Sequence, residues 1–203
     1  MSIATDTVPA PTGAEDARER AEAKALGFWL YLMTDAVIFA LLFATYVVML
    51  RGTAGGPTGK DLFDLTRTFG ETMLLLFSSA TFGLAMLGAN RDDRRAAILW
   101  LLATLVLALG FVAMELVEFA GMIGKGAGPD RSGFLSAFFT LVGTHGLHVS
   151  LGMLCVVVMI GQIAVKGFTG PVRSRLYRLS LFWHFLDIVW IGIFSIVYLG
   201  GVL

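Results

Sequence analysis

Five long apolar runs separated by short polar gaps constrain this chain more than any other feature. They lie at Leu26–Leu50, Phe69–Ala89, Ala97–Gly121, Phe134–Val165 and Leu179–Val202. Each meets or exceeds the ~20 residues that an α-helix needs to cross about 30 Å of hydrocarbon. Charged residues gather in the first 24 positions and in the gaps. With 57% of its 203 residues hydrophobic, the chain is too apolar to wet the surface of a soluble domain.

The pattern predicts an all-α, polytopic membrane protein: a five-transmembrane-helix bundle over residues 25–203, preceded by a polar tail over residues 1–24. The tail has no apolar segment of the secretory-signal kind. It is expected to be helical from Glu15 onward and frayed at its start. The fourth run is long enough to tilt or to have interfacial ends. No connection is long enough to fold as a domain, and no internal repeat supports a transporter built from inverted halves.

Lysine and arginine set the expected orientation. With the N-terminus inside, the inner segments carry ten, at Arg18, Arg20, Lys24, Arg91, Arg94, Arg95, Lys166, Arg173, Arg175 and Arg178. The outer segments carry five, at Arg51, Lys60, Arg67, Lys125 and Arg131. Cytoplasmic loops hold the excess of such residues, so the N-terminus is expected in the cytoplasm and the C-terminus in the periplasm. Phe28, Trp29, Tyr31, Trp100 and Tyr198 near run ends suit the membrane interface. Gly143, Gly146 and Gly152 allow close helix approach. The net charge of zero argues against nucleic acid. The single cysteine, Cys155, excludes a disulfide framework and reads as a small apolar residue in a helix.

Polar residues within the runs each need a reason, because hydrocarbon penalises unpaired charge. They are Asp35, Glu71, Glu115, Glu118, His145, His148, His184 and Asp187. Glu115 with Glu118, His145 with His148, and His184 with Asp187 stand three apart, so each pair shares a helix face. At about 1.5 Å of rise per residue, Asp35, His184 and Asp187 lie about 14, 8 and 12 Å from the inner end. His145 and His148 lie about 17 and 21 Å from the outer end, whereas Glu71, Glu115 and Glu118 lie within about 9 Å of it.

Two polar layers are therefore expected. The inner one, Asp35, His145, His148, His184 and Asp187, is read as a structural or lipid-associated cluster that fixes how the first, fourth and fifth helices meet. The outer one is Glu71, Glu115 and Glu118, with Arg131, Arg67 or Arg51 as counter-ions. As ligand chemistry the inner set could also hold zinc or non-haem iron. Asp35 is a buried carboxyl that could relay protons, but one alone makes no pathway.

The same stretches resemble the subunit III family of the haem–copper terminal oxidases. Gly27–Tyr46, GFWLYLMTDAVIFALLFATY, is similar to that family's opening helix, with Asp35 where many relatives carry a reactive glutamate. Leu74–Ala85 resembles the second helix of the five-helix form, and Glu118-Phe119 the ending of the next. Gly128–Gly152 contains HGLHV, and Ser180–Leu199 carries Trp183, His184, Phe185, Asp187, Val189 and Trp190 in the W-H-F-x-D-x-V-W pattern. The likeness covers residues 25–203.

Five helices and the Gly52–Phe63 loop resemble the cytochrome o branch, whose complexes oxidise ubiquinol, reduce oxygen and pump protons. The resemblance implies a multi-pass subunit of a bacterial inner membrane that is itself non-catalytic and binds no cofactor or metal. Haem b, haem o and copper would reside in subunit I, with subunits II and IV as further partners. It also implies bound phospholipid in a cleft between the first two helices and the remaining three, and a role in assembly and sustained turnover. The alternatives are a cytochrome c oxidase subunit III, a stand-alone metal-dependent membrane enzyme using the inner layer, and a proton-coupled transporter centred on Asp35.

Overall fold

The computed structural model describes residues 13–202 and, among them, contains only helical elements joined by turns. They are α1 (Gly13–Met49), the single turn α2 (Gly59–Leu62), α3 (Leu65–Asn90), α4 (Arg94–Gly124), α5 (Gly133–Lys166) and α6 (Gly170–Ile193). A π-helical turn, Phe194–Leu199, and a last turn, Gly200–Val202, continue α6. Five segments are long and apolar enough to cross a membrane: Glu22–Met49, Leu65–Asn90, Arg94–Gly124, Gly133–Lys166 and Gly170–Val202. The expected frayed start of the tail lies outside the described residues.

Helix starts are fixed by side chains that accept from the otherwise unpaired first amides. Asp64 caps α3 through Thr66 and Arg67, Asp93 caps α4 through Ala96, and Ser132 caps α5 through Leu135. The fifth span begins nine residues before the expected Leu179. Thr169 and Pro171 open α6 there, and Val172, Leu176 and Leu179 bury one stripe while Arg173, Ser174, Arg175, Tyr177 and Arg178 occupy the rest. Such an amphipathic start is invisible to a search for unbroken hydrophobicity.

The order in space differs from the order in sequence. α6 is central, packed against α1, α3 and α5, while α4 packs on α3 and α5. The resemblance implied that the first two spans pair and face the remaining three; instead α1 packs on α5 and α6. Its buried stripe is Leu32, Asp35, Phe39 and Tyr46, at the three- to four-residue spacing of one helix face, with a further turn between Phe39 and Tyr46.

Loops tie each end of the bundle. At the basic end, Arg173 donates to the Ala89 carbonyl at 2.8 Å, pairs with Asp92, and lies 5.3 Å from the Phe168 ring centre. Gly167, at φ +64°, lies directly against the Arg94 guanidinium, where a β-carbon would collide with it. At the opposite end, the Phe134 amide donates to the Gly52 carbonyl, and Phe63 packs against Phe134, Phe138 and Tyr198. Two glycines of α5 seat side chains: a β-carbon on Gly152 would meet the Trp183 ring at 3.0 Å, and one on Gly146 the Glu115 carboxyl.

Candidate functional site

The end of the bundle opposite the basic loop holds a polar cluster built by α3, α4 and the π-helical turn. Glu71, Glu115 and Glu118 are buried and interact electrostatically across the α3–α4 seam. Arg67, one turn before Glu71, brings Nε to 3.5 Å from Glu71 Oε1, and its guanidinium donates to the Met114 carbonyl. Tyr198 donates to Glu118 Oε2 at 2.9 Å. Of the three expected counter-ions, Arg67 is the one that reaches a carboxylate. Arg131 lies against Gly56 in the α1–α2 loop, and Arg51 is exposed.

Two expectations about this region change. Tyr198 is fully buried rather than interfacial. Glu115 also lies deeper than expected: α4 runs on to Gly124, which places Glu115 about 14 Å from that end. Its carboxyl rests on Gly146, the residue after His145, so the two layers meet along α5.

The expected inner layer separates into three parts. Asp35 Oδ2 faces His148 Nε2 at 3.9 Å, joining α1 to α5; that distance is a contact rather than a hydrogen bond. His148 Nδ1 donates to the Thr144 carbonyl at 2.8 Å, which leaves Nε2 toward Asp35. His184 Nδ1 lies 2.6 Å from Ser79 Oγ on α3 and 3.8 Å from Asp187 Oδ2 on its own helix. His184 therefore links the fifth span to the second, not to the first and fourth.

His145 is by itself. Its ring stacks on Trp190 at 5.2 Å and meets the edges of Phe111 and Phe39, and neither ring nitrogen is hydrogen-bonded. No three of the histidines, cysteine and carboxylates among the described residues converge as a metal-binding group.

The polar contacts missed in the sequence are mostly hydroxyls. Trp183 and Trp190 donate from Nε1 to Ser78 and Thr72 on α3, each at 3.1 Å, and Thr81 pairs with Thr104 across α3–α4 at 2.8 Å. Buried indoles need such partners, so two tryptophans seven apart in an apolar run were the available signal.

An open cleft of about 560 Å³ lies where α1 leaves α5 and α6 at the basic end. Phe28, Tyr31, Leu154, Cys155 and Phe182 line it, with Gln162, Arg175 and Arg178 among them. Arg175 donates to Gln162 Oε1 at 3.0 Å. Cys155, read as an ordinary helix residue, is exposed in this cleft.

Residues 15–202 match the family described as cytochrome c oxidase subunit III. The chain is 56% identical to the cytochrome bo(3) ubiquinol oxidase subunit 3 of Pseudomonas aeruginosa, over 87% of this chain and 85% of that protein. It is 42% identical to the quinol oxidase subunit 3 of Bacillus subtilis, over 87% of this chain and 86% of that one. The cytochrome c oxidase subunit 3 of Bacillus sp. strain PS3 is also 42% identical, over 88% and 86%.

Proposed function

This chain belongs to the cytochrome c oxidase subunit III family, and we propose that it is the third subunit of a bacterial ubiquinol oxidase, a multi-pass protein of the inner membrane. The observation that carries this reading is 56% identity, over most of both chains, to a ubiquinol oxidase subunit 3. The five spans support the membrane location. A cytochrome c oxidase relative at 42% identity keeps the other electron donor in view. The higher identity to ubiquinol oxidase subunits favours the quinol branch.

In this reading the chain performs no redox step. Haem b, haem o and copper belong to subunit I, and subunits I, II and IV are the partners of a complex that oxidises ubiquinol, reduces oxygen and pumps protons. The polar groups described above act within the bundle: Arg67 and Tyr198 hold the glutamates, Asp35 and His148 join α1 to α5, and the tryptophans fasten α6 to α3. The excess of basic residues at the end carrying Arg91–Arg95 and Arg173 supports a cytoplasmic N-terminus and a periplasmic C-terminus.

Phospholipid fits the α1–α5–α6 cleft. Its walls suit an acyl chain, and Arg175 and Arg178 offer cations for a phosphate at the basic end, as basic pockets between membrane helices do. A lipid there would fill the space that α1 leaves open.

The test is a reduced-minus-oxidised absorption spectrum of material co-purified with the tagged chain from native membranes in mild detergent. Haem bands are expected, and they should disappear when the chain is produced alone. Absence of haem from both preparations would overturn the reading.

A further inference from the structure

Of the three histidines, His184 alone is exposed. His145 is fully buried and His148 partly so, at 16% exposure of its side chain, whereas 46% of the His184 side chain is accessible. It lies about 21 Å along α6 from Gly170, with the π-helical and final turns still to follow. Counted from Arg178, the last arginine of the amphipathic start, it lies about 9 Å into the apolar part of the span. Ser79 of α3 engages Nδ1 and Asp187 approaches the same atom. Nε2 has no hydrogen-bond partner among the described residues.

The surrounding surface is apolar. Ile188 and Ile191, four and seven residues after His184, are exposed, as is Leu76, three residues before Ser79. These spacings place them on the faces that carry His184 and Ser79. Acyl chains provide neither donor nor acceptor, and a polar side chain at this depth belongs against protein or in a wet cavity. Membrane helices use isolated polar side chains in this way, as hydrogen-bonding points within apolar interfaces.

We infer that the α3–α6 face around His184 is the docking surface for a transmembrane helix of another oxidase subunit. That helix is apolar except for one hydrogen-bonding side chain at the depth of His184 Nε2. The inference rests on the proposed function and specifies which face of this chain meets its partner.

The test places the photo-crosslinker p-benzoylphenylalanine at Ile188, one turn from His184, in the assembled complex purified in mild detergent. Mass spectrometry then identifies the adduct. The expected product joins residue 188 to a membrane helix of the haem-bearing subunit. A companion measurement follows the haem-to-subunit ratio through washes of increasing detergent. His184→Gln, which keeps a hydrogen-bonding group, should retain haem, and His184→Leu should lose it several-fold. An adduct only with phospholipid, or with a second copy of this chain, overturns the docking face while co-purified haem leaves the oxidase reading intact. Failure of haem to co-purify with the unaltered chain overturns that reading instead.

Discussion

The carboxyl of Glu115 rests on the backbone of Gly146, so close that a β-carbon added there would lie 2.6 Å from Oε2 and 2.7 Å from Oε1. The substitution Gly146→Ala should destabilise the chain by about 1–3 kcal/mol, the usual cost of forcing atoms into a filled core. Combining it with Glu115→Ala should cost clearly less than the two single losses added together, because the contact is shared. Thermal unfolding in detergent of the four proteins measures this coupling. Additive losses would mean that the two residues do not touch.

Tyr198→Phe removes the donor to Glu118 Oε2 and leaves a buried acceptor without its partner. A loss of about 1–3 kcal/mol is expected. Glu118→Gln should lose less, since the amide oxygen still accepts from the tyrosine hydroxyl. Unfolding midpoints of the two variants, compared in one detergent, decide the order.

The sequence revealed that there are five membrane helices, and the residues that carry the family likeness, but not which helices are neighbours. In lipid, both the outward face and the core face of a helix are apolar, so periodicity does not distinguish them. The first run follows the tail and precedes the second, yet α1 packs on α5 and α6. Three-residue spacing correctly put His145 and His148 on adjoining positions of α5. It could not show that His148 meets Asp35 while His145 enters an aromatic box with Trp190, Phe111 and Phe39. Tyr198 was misplaced because hydropathy treats the end of a run as interface, whereas the loop carrying Phe63 covers that end.

Arg67 should contribute more than an isolated surface charge because it serves two groups, the Glu71 carboxyl and the Met114 carbonyl. Arg67→Met is expected to lower stability by about 1–3 kcal/mol through the acceptors it leaves behind. Arg67→Lys should recover part of that loss. If Arg67→Met unfolds at the temperature of the unaltered chain, Glu71 and Met114 have other partners.

At the basic end, the ion pair of Arg173 with Asp92 is exposed to water and should matter little. Asp92→Asn keeps a residue that tolerates the left-handed backbone found there, φ +58°. It should change stability by only about 0–1 kcal/mol. Arg173→Ala also releases the Ala89 carbonyl and the Phe168 ring, so it should cost more than Asp92→Asn. Paired melting curves test the ranking.

Arg175 and Arg178 should govern lipid retention in the α1–α5–α6 cleft. Native mass spectrometry of the complex with Arg175→Ala and Arg178→Ala combined should show fewer bound phospholipids, and turnover should decay sooner than in the unaltered complex. Equal lipid content in both would rule out phospholipid in this cleft.

The central place of α6 has a consequence for biosynthesis. It is the last of the five spans to leave the ribosome, yet α1, α3 and α5 all pack on it, and its tryptophans engage Ser78 and Thr72. Until α6 enters the bilayer, Asp187 and Trp190 are missing from the interior, and α1, α3 and α5 lack the helix they share. Before that, α4 already packs on α3 and α5, whereas α1 rests on α5 alone and the seats of the two tryptophans on α3 are unfilled. Insertion of α6 therefore closes the contacts of α1, α3 and α5 together, on a base that α3, α4 and α5 have already formed.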